Sequence, residues 1–90
     1  MSATFAELLA RGSRIRHQAR DLAAAGKPVR FRDDRYGLRY LASVDTYPGS
    51  LGFRLTTFDA RGPVGHCEFR SLEAAILDCL QHGATVDAEG

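Results

Sequence analysis

The spacing of apolar residues changes period twice along this chain, and that change limits the folds open to it. Phe5, Leu8, Gly12, Ile15, Ala19 and Leu22 recur at alternating steps of three and four, which places them on one face of a helix. From Val29 to Phe69 the step falls to two, the repeat of strands with one face buried. Leu72, Ala75, Ile76, Cys79 and Leu80 then restore the helical step.

Local signals set the boundaries. Thr4-Phe5-Ala6-Glu7 has capping-box spacing, and Gly26 followed by Pro28 ends the first helix, which is read as residues 5–25. Gly12-Ser13 is its weak point, where a kink is most easily placed. Four strands follow: 29–32, 38–45, 51–58 and 64–70. The connections are Asp33-Asp34-Arg35-Tyr36-Gly37, the Pro48-Gly49 pair, which suits a type II turn, and Asp59-Ala60-Arg61-Gly62. Such short turns pair consecutive strands antiparallel. Ser71 caps the second helix with Glu73 in its first turn, and Gly83 closes it. Residues 84–90 carry no periodicity and are expected to fray.

The expectation is an α+β fold: N-terminal helix, four-stranded antiparallel meander, C-terminal helix, with both helices on one sheet face and the other face open. Ninety residues, 44% hydrophobic and 26% charged, make one globular domain over 1–90 with no repeat or linker. No apolar run approaches membrane-spanning length, and residues 1–20 carry Glu7 and four arginines instead of a leader pattern. With only Cys67 and Cys79 present, a disulfide framework is not indicated, and a cytoplasmic location is expected.

Alternation sorts the strand residues into two sets. Val29, Phe31, Leu38, Tyr40, Ala42, Val44, Leu51, Phe53, Leu55, Cys67 and Phe69 form the inner set. Arg30, Arg32, Arg39, Leu41, Ser43, Arg54, Thr56, Phe58, Val64, His66 and Glu68 form the outer set. The outer set holds four arginines beside Leu41, Phe58 and Val64. Its nearby acids are Glu68 and, toward a strand end, Asp45. Charge is unevenly spread as well: residues 1–40 have nine Lys/Arg against four Asp/Glu, and residues 41–90 have three against seven. Eleven of the twelve basic residues are arginine, which base composition of the gene would also produce. Arginine stems covering a solvated sheet would account for the outer set without any partner.

A functional reading uses the same residues. Arginine and aromatic side chains beside exposed aliphatics resemble interface centres. The chain is therefore expected to be a non-catalytic protein-interaction or accessory module. It would act as a homodimer or on an acidic partner through Arg30, Arg32, Arg39, Leu41, Arg54, Phe58 and His66. The alternative partner is nucleic acid, RNA or single-stranded, with arginines on phosphates and Phe58, Tyr36 or Tyr47 stacking a base. A pI near 7.9 argues against that alternative. The arginines of the first helix, Arg11, Arg14, Arg16 and Arg20, scatter around its polar side and form no stripe.

No catalytic residue, cofactor or metal is assigned. His66, Cys67, Cys79 and His82 include the spacing Cys79-x-x-His82, but adjacent His66 and Cys67 point to opposite sheet faces and cannot join one tetrahedral site. The same opposition denies Cys67 a base in His66, and both cysteines are expected to be small core residues. Gly49-Ser50-Leu51-Gly52 and Gly62-Pro63-Val64-Gly65 are too short to be phosphate loops.

Overall fold

A computed structural model describes residues 4–87. Its elements are α1 (Phe5–Ala24), β1 (Val29–Asp33), β2 (Leu38–Val44), β3 (Phe53–Asp59), β4 (Gly62–Phe69), α2 (Leu72–Gln81) and β5 (Thr85–Val86). The strands form one antiparallel sheet in the order β4-β3-β2-β1-β5. This is the expected α+β arrangement of two helices on one sheet face, with a fifth strand added.

The helix boundaries follow from their caps. Thr4, extended in backbone, accepts a hydrogen bond at Oγ1 from the Glu7 amide (3.2 Å), and Ser71 accepts one at Oγ from the Ala74 amide (3.1 Å). α1 runs unbroken through Gly12-Ser13. At Pro48-Gly49 the Ser50 amide donates to the Tyr47 carbonyl (3.1 Å) and Gly49 takes a φ of 88°, as a type II turn requires.

The core lies between α2 and the middle of the sheet. Val29, Phe31, Ala42 and Leu55 from the strands meet Leu72, Ala75, Ile76, Cys79 and Leu80 from α2, and Ala19 is the buried residue of α1. α2 lies over β2, β3 and β4, whereas α1 packs chiefly on α2. That stacking has consequences at both ends of the fold. A ten-residue helix is about 15 Å long, too short to cover every inner position, so Val44, Leu51 and Cys67 of the inner set are exposed. Cys67, expected in the core, sits on the edge strand β4, where the chain from Pro63 to Glu68 is exposed throughout. Likewise Phe5 and Leu8, expected to pack, stand clear of the body.

The segment expected to fray is ordered as far as it is described. β5 pairs with β1 through Phe31↔Val86 and Arg32↔Thr85, and the Asp87 amide donates to the Arg30 carbonyl (2.8 Å). Without β5, the backbone of β1 would present a bare edge, and two β-branched residues cover its middle. Residues 88–90 of the expected tail lie outside the described residues.

Arg35 ties the two ends of the core together. Its guanidinium forms a double contact with Asp33, Nε to Oδ1 at 3.0 Å and Nη2 to Oδ2 at 2.8 Å, and Nη2 also donates to the His82 carbonyl (2.7 Å) at the end of α2. A cation at a helix C-terminus satisfies a carbonyl that the helix leaves unpaired. The β1–β2 turn is thereby clamped onto α2.

Candidate functional site

The open face is built by register. Arg32 stands opposite Arg39, which stands opposite Phe58; Arg30 stands opposite Leu41, then Thr56, then His66. A third row runs Ser43, Arg54, Glu68. Opposed residues share a face, and with Phe31 and Ala42 buried on the other side all three rows face away from the helices. The seven residues expected at a partner site therefore do share one face. Val64 leaves the row: the register shift at Thr57/Phe58 passes over it, making it the extra residue of a bulge.

The four arginines differ in what they contact. Arg54 is half-buried and held by Asp45, with Nε 3.3 Å and Nη2 3.2 Å from Oδ2, and that carboxylate is only 5% exposed. Asp45 also accepts the Tyr47 amide at Oδ1 (3.0 Å), so this pair is part of the β2–β3 turn. Arg32 makes a double contact with Asp34, Nε to Oδ1 at 3.1 Å and Nη2 to Oδ2 at 2.9 Å. Arg30 and Arg39 are exposed, and among the described residues neither guanidinium has an ion-pair or hydrogen-bond partner.

Those two guanidiniums border a shallow recess of about 380 Å³, lined also by Phe58 and Asp87. Phe58 is half-buried and supplies an apolar wall. Asp87 places one carboxylate at the rim against two guanidiniums, and Arg32 stands next to Arg39 across the ladder. Like charges directly opposite on a sheet repel, and here Asp34 offsets the Arg32 side of the pair. His66 lies three strands from Arg30, on the order of 14 Å away at about 4.8 Å per strand. The focus of the face is thus Arg30, Arg39 and Phe58, at the β1 side, with Arg54 and His66 peripheral to it.

Two groups at this surface were not legible in the strand pattern. Asp34 reads as a turn residue, and only the turn's geometry returns it to Arg32. Asp87 falls in the segment expected to fray; the Thr85-Val86 pair is the signal that the segment is a strand, and it is very short.

The thiols stand apart from this surface. Cys79 is buried, and desolvation with help from the nearby Asp78 charge pushes it up to about 12, so it is a neutral thiol at ordinary pH. Among the described residues no three His, Cys, Asp or Glu side chains gather as a metal site, and no helix is long and apolar enough to cross a membrane. Comparison with family models, with curated proteins and with solved structures returned no match.

Proposed function

We propose that the chain is a non-catalytic interaction module whose open sheet face takes an acidic protein partner at Arg30, Arg39 and Phe58. The observation that carries this reading is the contrast among the arginines: Arg54 and Arg32 are engaged by Asp45 and Asp34, while among the described residues neither Arg30 nor Arg39 has an ion-pair or hydrogen-bond partner. Two guanidiniums facing the single rim carboxylate of Asp87, beside an aromatic wall, suit carboxylates on a partner, with Phe58, and Leu41 opposite Arg30, adding apolar contact. Self-association through this same face would bring arginine against arginine only where the two-fold axis passes through the Arg30 and Arg39 cluster. Nucleic acid is the competing ligand of the same face, but the exposed tyrosines Tyr36 and Tyr47 sit in the turns at 33–37 and 47–50, outside the lining of the recess.

The test is fluorescence anisotropy with two probes, a glutamate-rich peptide and single-stranded oligo-uridine, at low and moderate salt. The peptide is expected to bind, and Arg30→Ala and Arg39→Ala are each expected to weaken it by about tenfold, in the range of charge-assisted contacts. Arg54→Ala, whose partner is Asp45, is expected to leave peptide affinity unchanged. Oligo-uridine binding alone, with a salt slope that falls by about one phosphate per arginine removed, would replace the protein reading by the nucleic-acid one. No binding of either probe would refute the site.

A further inference from the structure

The apolar stripe of α1 is longer than the surface that covers it. Ile15, Ala19, Leu22 and Ala23 pack against the core, but Phe5, Leu8 and Leu9 are 77%, 54% and 56% exposed. At 100° per residue Phe5, Leu8, Leu9 and Gly12 span an arc of about 100°, overlapping the face that packs on α2 further along. The cause is length. The twenty residues of α1 extend about 30 Å and the ten of α2 about 15 Å, so the first turns of α1 overhang, and the molecule measures 44 Å along its longest axis against 28 and 23 Å across.

We infer that this overhang is the contact surface for a second copy of the chain, packed antiparallel about a two-fold axis near Leu9. The flanks of the stripe choose the occupant and its direction. Glu7, Arg11 and Arg14 border one side, and Ala6, Ala10 and Ser13 the other. In an antiparallel pair the same flank of each helix meets its equivalent. An axis at Leu9 sets Glu7 opposite Arg11 of the second copy, and Arg11 opposite Glu7, so one flank yields two opposite-charge pairs. Phe5 then meets the small Ser13 of the second copy. A parallel pair would place two helix N-termini, both of positive dipole, side by side and bring no acid to Arg11. The surface is self-complementary, as a two-fold contact requires.

Size sets the strength. The three exposed side chains present on the order of 300 Å² of apolar surface per copy, against about 800 Å² per partner in a standard stable interface. The dimer is therefore weak and depends on concentration.

Sedimentation equilibrium on the purified chain, from about 10 μM to about 1 mM, the span of weak affinities, tests this directly. The expected result is a monomer that becomes a dimer as concentration rises. Leu9→Asp is expected to remain monomeric throughout with unchanged far-UV circular dichroism, since Leu9 is outside the core. Arg11→Glu is expected to weaken the dimer, and Glu7→Arg combined with Arg11→Glu to restore it. With Cys67 replaced by Ser, Leu9→Cys should form a disulfide-linked dimer and Phe5→Cys should not, because the two-fold axis separates the Phe5 positions by about 12 Å. A monomer at every concentration overturns the inference, as does a dimer that Leu9→Asp leaves intact. A dimer abolished instead by Leu41→Asp would move self-association to the sheet.

Discussion

Cys67 and Cys79 show how burial separates two residues of the same type. Cys67 is exposed on β4; Cys79 is in the core, its thiol pushed up to about 12 by desolvation. A thiolate is the reacting species with disulfide reagents. The native protein at pH 8 is therefore expected to consume one equivalent of Ellman's reagent quickly, all of it at Cys67, and a second only in denaturant. Two fast equivalents in the native state would contradict the placement of Cys79. Asp33 supplies a pH dependence. It is 5% exposed, and the hydrogen bonds from Arg35 hold its carboxyl below the ordinary value of 3.8. A carboxyl depressed on folding stabilises the fold above its unfolded pKa, about 3.9, and that contribution is lost as pH falls through the folded value. The urea midpoint of the native chain should thus exceed that of Asp33→Asn at pH 6, with the gap closing below about pH 4. A gap that does not change with pH would mean that the Asp33–Arg35 pair makes no charge contribution.

The elements differ in how much of the fold depends on them. α2 has five buried side chains, and Ile76 is fully enclosed between the sheet and the helices. Ile76→Ala should lower unfolding stability by about 2–5 kcal/mol through lost transfer energy and the cavity left behind. α1 has the same amphipathic design on paper, yet Leu8→Ala should change stability by no more than about 0.5 kcal/mol, the range of ordinary surface positions. Chemical denaturation of the two variants measures both. A large loss from Leu8→Ala in dilute monomer would place the start of α1 inside the core. Strand pairing is less uniform still: β3 is an interior strand paired along its length, whereas β5 is two residues long and held by two register pairs and the Asp87 amide. β5 matters out of proportion to its length because it closes the edge beside Arg30 and brings Asp87 to the recess.

At the scale of the molecule, the arginine-bearing sheet face and the overhanging start of α1 are both left uncovered by the rest of the described chain. The periodicity switch, the capping residues and the turn glycines were sufficient to set the α+β class, the order of helices and strands, and their approximate ends, because those depend on backbone preferences only a few residues long. Alternation also placed Arg30, Arg32, Arg39, Leu41, Arg54, Phe58 and His66 on one face, since the pleat leaves no other choice once Phe31 and Leu55 are buried. What those local rules leave open is which apolar face finds a cover and which charge finds a partner. The exposure of Phe5, Leu8 and Cys67 depends on where α2 ends and on α1 stacking upon it, a matter of lengths and distances between elements far apart in the chain. Arg54 and Arg39 are indistinguishable by alternation; only the fold of the β2–β3 turn brings Asp45 to the one, while the other finds no ion-pair partner among the described residues. Periodicity describes what one segment offers, whereas burial and pairing depend on what the rest of the chain brings to it, and that is decided by tertiary structure alone.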